Sequence, residues 1–334
     1  MSKEIKAGLV SVIVASYNHA EYLEQRMESL INQTYPDIEI LVIDDCSTDH
    51  SIDVLKKYEF HPKVKLVIRE KNGGWVTVSN QGVDLSVGEY IIFANCDDAC
   101  DKHMIERLVI GIRSSPNIAI SYCRSLMIDK SGKSLGDDFA LRESAFKLRC
   151  RADTILSARE MCRFLLHSCV IPNLSAALFR RDCYISAGGL SPDYRVCSDW
   201  DLFFRNVAHH DVYYVAEPLN KFRQHQTTIR SSTKERILYG EIIGLLLGRI
   251  ALLDLTPMER TRFRLRVMYI WSSHILRPSL NGFESLGYLS RLVFQLDPFA
   301  MIHMPLAIIL RMGDLSIHLI KRIVFLFGVK SNVF

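Results

Sequence analysis

Four short segments bring carboxylates, an imidazole or a guanidinium to places where a chain could do chemistry. Asn95-Cys96-Asp97-Asp98 is an acidic turn after an apolar run. Carboxylate oxygens are the usual ligands of hard divalent cations such as Mg²⁺ or Mn²⁺, the ions that neutralise a departing diphosphate. The bland alternative is a solvated loop capping a helix near residue 102, because acidic residues favour helix N-termini. Asp44-Asp45-Cys46-Ser47-Thr48-Asp49 follows a second apolar run. Its carboxylates can accept hydrogen bonds from a base or ribose. Ser47, Thr48 and Asp49 read better as helix caps, whereas Asp45 lies closer to the strand end. In Ser198-Asp199-Trp200-Asp201 a carboxylate could take a proton from an attacking hydroxyl or simply cap the next helix. In Phe222-Arg223-Gln224-His225 the guanidinium suits phosphate and a neutral imidazole suits a metal, unless the segment is only a surface loop.

The elements around these segments form a pattern. Leu9–Ala15, Ile38–Ile43, Val64–Ile68 and Tyr90–Ala94 are short runs rich in β-branched residues, the mark of buried parallel strands. Helical stretches separate them, with Tyr22, Met27, Leu30 and Ile31 on one apolar face of the first. Strands and helices alternating at this spacing predict a doubly wound, mostly parallel α/β sheet. In such sheets ligands bind beyond the carboxyl ends of the strands, which is where two of the acidic segments fall. Further on, 104–115 reads as a helix, Ile118–Cys123 and Val212–Val215 as strands, Ala176–Phe179 as a candidate strand, and 124–170 as loops and helices over the site. From about Ile229 the pattern is helical, and Thr256-Pro257-Met258-Glu259 has the shape of a capping box with proline at the first helical position.

Taken together, the segments resemble the family-two glycosyltransferases. VSVIVASYNHAEYLEQRMESLINQTYPDIEILVIDDCSTDHS resembles the family's opening, GEYIIFANCDDACDKHMIERL its acidic metal motif, GGLSPDYRVCSDWDLFFRNVA its acceptor-side segment and FRQHQTT its terminal Arg-x-His segment. The similarity runs over roughly residues 9–228. It implies a GT-A-type fold and an inverting transfer of sugar from a nucleotide-diphosphate donor, with UDP the usual nucleotide. Residue by residue, it implies that Ala15, Ser16 and Tyr17 line the nucleotide and that Asp45 binds the base. Asn95 and Asp98 join these donor-binding residues. Asp97 becomes the metal ligand, His225 a second group at the metal or diphosphate, Asp199 the catalytic base, and Gly188-Gly189 the acceptor-facing loop. Asn95 stands where the family often has aspartate, Ser198 where it often has glutamate, and Ser79 where an arginine is common. An inactive sugar-nucleotide-binding or scaffold protein is the rival reading, and Asn95 favours it. A nucleotidyltransferase would carry a Gly-rich basic loop after the first strand, and Ser16-Tyr17-Asn18-His19 is not one.

Composition bounds the rest. The net charge of +4 over 334 residues is too small to argue for nucleic acid. Residues 229–334 hold 14 Lys/Arg against 7 Asp/Glu, while the remainder is slightly acidic. A domain boundary is therefore expected at 228/229, with a catalytic body before it and a helical appendage after it. The appendage either docks on an anionic membrane surface near a glycan or lipid-linked acceptor, or packs as helices that make a homo-oligomer. Arg260, Arg262, Arg264 and Arg266 beside Met268, Tyr269 and Trp271 suit the first reading, as do Lys321 and Arg322 within Leu319–Phe327. The longest charge-free apolar run, Pro298 to Leu310, is shorter than the ~18–20 residues a membrane span needs. Nine cysteines with no framework spacing read as buried, reduced thiols of a cytoplasmic protein, peripheral on the membrane at most.

Overall fold

A computed structural model describes residues 4–225, 232–272 and 282–311. Contacts divide the chain into two units, Met1–Ser232 and Thr233–Phe334. The first unit is built on one ten-stranded sheet. Its amino-terminal half alternates β1 (Lys6–Ser16), α1 (Ala20–Ile31), β2 (Ile38–Asp44), α2 (Ser51–Lys56), β3 (Val64–Ile68), α3 (Trp75–Leu85) and β4 (Gly88–Phe93). The strands lie in the order β3-β2-β1-β4, all parallel. Val10, Val12, Val14, Ile40, Val42, Tyr90 and Ile92 form one core with Leu23, Met27 and Leu30 of α1. Ile13, Leu41, Ile43 and Phe93, on the other face of the same strands, are also buried. Burial on both faces explains why the sequence shows continuous apolar runs rather than alternation.

The order reverses direction at β1. The chain runs outward from β1 to β2 and β3, then crosses back to place β4 on the other side of β1. The carboxyl ends of β1 and β4 therefore flank a topological switch point, the place where an open sheet leaves a crevice.

The second half of the sheet is mixed. After β5 (Ala99–Cys100) and α4 (Met104–Arg113) come β6 (Ile118–Ile128), β7 (Ser134–Asp137), α5 (Ser144–Arg149), β8 (Thr154–Leu156), α6 (Ala158–His167), β9 (Ala177–Arg180), α7 (Arg181–Ser186), α8 (Ser198–Val207) and β10 (Asp211–Arg223). β9 lies antiparallel between β4 and β6, and β10 runs parallel to β6. β10 is three times the length expected from the sequence. Glu217-Pro218 interrupts the strand pattern, and the register slips on both sides of Pro218, because proline has no N–H to give the ladder. Beyond that irregularity the strand resumes and ends at Arg223.

The second unit contains the helices Glu235–Leu252, Pro257–Ser272 and Gly282–Leu296 and a helical stretch 300–311. Thr256 and Glu259 form the expected capping box: Glu259 N–H donates to Thr256 Oγ1 at 3.3 Å, and Thr256 N–H donates to the Glu259 carboxylate at 3.0 Å. Ile243, Leu246, Val267, Trp271, Leu289 and Val293 are buried. Asp297 is buried too, paired with His303 at 2.7 Å and approached by Arg264 at 3.5 Å. No described helix is long and apolar enough to cross a membrane. Leu319–Phe327 lies outside the described residues. Seven of the nine cysteines are buried.

Candidate active site

Three loops meet at the switch point. The first follows β1. Ser16 pairs in register with Asp44 of β2, its hydroxyl donates to Asp44 Oδ2 at 3.1 Å, and its carbonyl accepts from Asp45 N–H at 2.8 Å. Ser16 is 1% exposed. Its hydroxyl and its carbonyl are both engaged within the sheet. Tyr17 is 43% exposed, and Ala15 is half-buried. Asn18 has φ 51°, a left-handed conformation that asparagine tolerates better than most residues. Its Oδ1 accepts from Thr48 N–H at 2.8 Å, and its own N–H donates to Ser47 Oγ at 3.0 Å. The loops after β1 and β2 are thus tied directly together.

The second loop, after β2, is an internal scaffold. Asp44 accepts from Ser47 N–H at 2.8 Å and Ser47 Oγ at 2.6 Å. Asp49 accepts from Ala20 N–H at 3.1 Å, at the start of α1, and from Ser51 N–H at 2.9 Å, at the start of α2. One carboxylate thereby caps two helices. Cys46 has φ 65°, a conformation costing about 1–3 kcal/mol in a residue other than glycine. It separates Asp44, turned towards Ser47, from Asp45, turned towards the segment before α3. The Asp45 carboxylate accepts from Gly73 N–H at 2.9 Å and Gly74 N–H at 2.8 Å, and it pairs with Arg69 at the end of β3.

The third segment is the turn after β4. Asp97 lies against His225, with Oδ2 2.8 Å from the ring Nε2. His19 joins them: one ligand atom from each of His19, Asp97 and His225 lies within 4.8 Å of the others. Two donors each about 2.1 Å from a cation stand roughly 3–4 Å apart, so the trio has the scale of a metal site. Burial works against ionising Asp97, but the His225 hydrogen bond and the fields of His19 and His225 outweigh it and hold its pKa below the usual value. Aromatic rings wall the cluster. Tyr22 lies 5.3 Å from the His225 ring and 6.1 Å from that of His19.

Asp98, expected among the donor-binding residues, is turned into the fold. It is buried, and it accepts from Arg223 N–H at 2.9 Å, Asn173 Nδ2 at 2.7 Å and Asn95 Nδ2 at 3.3 Å. Burial, followed by the charge of Asp97, pushes its pKa up to about 7. It anchors the end of β10 to the acidic turn. Asn95, half-buried, also donates its N–H to Ser175 Oγ at 2.9 Å.

Arg223 proves to be a structural residue rather than a phosphate contact. It is 1% exposed. Its guanidinium donates to the carbonyls of Asp97, Asp129 and Lys130 and to Gln25 Oε1, and it stacks over Tyr22 at 4.6 Å. β5 completes the clamp by pairing with Asn220 and Lys221. These bonds deliver His225 to Asp97 across 128 positions of sequence.

Asp199 sits in the first turn of α8, half-buried, accepting from Trp200 N–H at 2.7 Å. The segment before it is fastened to α3, through Trp75 Nε1 to the Arg195 carbonyl at 3.2 Å and Asn80 Nδ2 to the Leu190 carbonyl at 2.8 Å. Asp45 holds the glycines that open α3, so the elements bearing Asp45 and Asp199 are both fastened around the start of that helix. Gly188 and Gly189 have φ 83° and 66°. Arg205, fixed by Asp201 at 2.7 Å, clamps the carbonyls of Ala187 and Gly189.

Sequence reasoning passed over His19, Arg69 and Asn173. Two of these carried a usable signal: His19 and Arg69 lie at or just beyond the carboxyl ends of parallel strands.

The model of the glycosyl transferase family 2 matches residues 11–151. Glycosyltransferase TuaG of Bacillus subtilis, named for teichuronic acid biosynthesis, is 36% identical over 100 residues, which are 30% of this chain and 40% of TuaG. The match thus spans less than half the length of that relative. An uncharacterized glycosyltransferase of Rickettsia typhi is 29% identical over 233 residues, 68% of each chain. Among solved structures, S. aureus TarS in complex with UDP-GlcNAc superimposes with a TM-score of 0.68 at 15% identity, covering 90% of this chain and 89% of that one. Residues 11–151 thus carry a domain that matches the glycosyl transferase family 2, and the fold is that of the GT-A glycosyltransferases.

Proposed function

We propose that the protein transfers a sugar from a nucleotide-diphosphate donor, a UDP-sugar, to an acceptor hydroxyl with inversion, in the synthesis of a bacterial surface polysaccharide or glycolipid. The observation that carries this reading is the carboxylate of Asp97 set against two imidazoles at the switch point of a GT-A sheet. The names of TuaG and of the TarS complex support the pathway and the donor class.

The donor set fits a divalent cation, Mg²⁺ or Mn²⁺, with Asp97 and His225 as ligands. When bound, such a cation supplies charge neutralisation for the departing diphosphate. The remaining work falls to the chain. Tyr17 and Ala15 face the nucleotide. Asp45 sets the glycine turn before α3, and its Oδ2, which among the described residues accepts only from Gly74 N–H, keeps a lone pair for the base. Asn95 offers a neutral amide to the ribose. Asp199 takes the proton of the acceptor hydroxyl, and the glycine loop at 188–189 shapes the acceptor side. Holding the donor and acceptor in line supplies a large part of the rate. A donor-hydrolysis assay with UDP-sugars and Mn²⁺ tests the reading. Cation-dependent release of UDP is expected; nucleotide binding without any release, under all donors and acceptors tried, would favour the inactive scaffold instead.

The appendage belongs to the same proposal, as a peripheral contact with the inner face of the cytoplasmic membrane where a lipid-linked acceptor is found. In the stretch 300–311, Met301, Ile302, Leu306, Ile309 and Leu310 are all exposed, and no charge interrupts that face. Arg311 closes it, 4.6 Å over the ring of Tyr269, with Arg266 on the same ring. An apolar face ending in arginines suits an anionic bilayer. Self-association would bring together two strongly basic appendages. Flotation with anionic vesicles is the expected result. Recovery of a dimer with no flotation would reverse the choice.

A further inference from the structure

We propose that His19 is a third protein ligand of the cation site at Asp97, and that its imidazole biases the site towards first-row transition cations and away from Mg²⁺. The inference deepens the reading above, since it rests on Asp97 and His225 as ligands.

His19 sits where a helix cap is expected, yet its side chain caps nothing. The residues that cap well are Ser, Thr, Asp, Asn and Gly. The first N–H groups of α1 are served from the neighbouring loop instead, Ala20 by Asp49 at 3.1 Å and His19 by Ser51 Oγ at 3.2 Å. The ring has another engagement. His19 Nδ1 lies 2.6 Å from the carbonyl oxygen of Tyr17. A carbonyl can only accept, so Nδ1 carries the proton. In the neutral ring, Nε2 is then left with the free lone pair. This is how metal-binding histidines are commonly held: one nitrogen fixed to a backbone carbonyl, the other presented to the ion.

The loop is built to hold that pose. Asn18 adopts its left-handed conformation and is tied to Ser47 and Thr48. The turn this makes brings the Tyr17 carbonyl onto the His19 ring. The ring then meets His225 edge-on at 5.6 Å, so the two imidazoles and Asp97 converge from three separate segments.

The donor chemistry sets the preference. Asn95 stands where a second carboxylate is common in the family, so the described cluster offers one carboxylate and two imidazoles. Imidazole nitrogen suits transition cations, whereas Mg²⁺ takes oxygen ligands almost exclusively. Affinity for a nitrogen-containing site also rises from Mn²⁺ to Co²⁺.

The test is calorimetric titration of the full chain with Co²⁺, Mn²⁺ and Mg²⁺ in the absence of nucleotide, with the visible absorption of bound Co²⁺ as a second readout. The wild-type chain is expected to bind Co²⁺ most tightly, then Mn²⁺, and Mg²⁺ at least about tenfold more weakly than Mn²⁺. His19→Ala should weaken Co²⁺ and Mn²⁺ by about 10–100-fold, change the Co²⁺ spectrum and move Mg²⁺ far less. His19→Asp, which swaps a nitrogen for oxygen, should narrow the gap between Mn²⁺ and Mg²⁺, and it decides the matter if the alanine variant fails to fold. Unchanged Co²⁺ affinity and spectrum in His19→Ala, an equal loss for all three ions, an unchanged gap in His19→Asp, or wild-type Mg²⁺ binding as tight as Mn²⁺ would each overturn the proposal. No donor or acceptor enters the titration. A chain that binds cations in this order but hydrolyses no donor would therefore sink the transferase reading and leave the ligand assignment standing.

Discussion

The two acidic loops look alike in sequence and behave differently in the fold. Asp44-Asp45-Cys46-Ser47-Thr48-Asp49 spends its carboxylates chiefly on the protein itself: Asp44 on Ser16 and Ser47, Asp49 on two helix starts, and Asp45, but for one lone pair, on Arg69 and two glycine N–H groups. The turn Asn95–Asp98 divides the labour. Asp98 is the internal anchor, while Asp97 faces two histidines. A carboxylate surrounded by N–H and O–H donors is satisfied as it stands. One surrounded by groups that can all ligate a cation is poised for one. The partner set, not the density of acids, separates scaffold from chemistry.

The sharpest test of that contrast is Asp97→Ala. It removes the one carboxylate that the described residues bring to the His19–Asp97–His225 cluster, so several kcal/mol of charge stabilisation should disappear. Turnover should fall about 10³-fold or more, with metal dependence lost and the melting temperature nearly unchanged. Steady-state kinetics with and without Mn²⁺ would show it. Next in size is Asp199→Asn. Loss of a positioned base costs about 10²–10⁴-fold in kcat, and here nucleotide affinity should stay within about threefold of wild type. Turnover equal to wild type would remove Asp199 from its role.

How much of this could be read beforehand depended on locality. The parallel half was legible because each strand is buried on both faces and ends in a short polar segment, so apolar runs and acidic loops stood out. The mixed half was not. β10 was cut short at Val215 because Pro218 breaks the pattern that a strand should show. β5, β7 and β8 are two to four residues long, too short for any periodicity to register. Asp97 and His225 could each be named, but nothing local could say that Arg223, weighed as a phosphate contact or a surface-loop residue, would be buried to hold them together. That Ser16 and Asp98 would bond within the fold was illegible for the same reason. A polar residue at a strand end can point into the crevice or back into the sheet, and only its neighbours decide.

The scaffold loop makes the opposite prediction from the turn Asn95–Asp98. Asp44→Ala should cost stability first. Asp44 is fully buried, and its removal strands the N–H and hydroxyl of Ser47 and the hydroxyl of Ser16. Stranding buried donors costs about 1–3 kcal/mol per group, discounted here because water can reach the half-exposed Ser47. A loss of about 2–4 kcal/mol in urea unfolding is expected, with cation affinity in the folded fraction close to wild type. A variant as stable as wild type but unable to bind a cation would erase the distinction between the two loops.

The smallest effect expected is also the most specific, because it depends on pH. Burial alone would raise the pKa of Asp49, but the hydrogen bonds from Ser51 and Ala20 N–H outweigh it and lower the value. A carboxyl whose pKa is depressed by folding contributes stability above its unfolded value of about 3.9 and loses it as pH falls through the folded value. The melting temperature of Asp49→Ala should therefore lie furthest below wild type near neutral pH. The gap should be constant down to about pH 5 and should close progressively in more acidic buffer, as the carboxyl that caps α1 and α2 takes up its proton. A gap that stays the same at every pH would mean that Asp49 acts through shape alone. The charge would then be irrelevant even in the loop where it is best satisfied, and the contrast with Asp97 would have to rest on geometry rather than on ionisation.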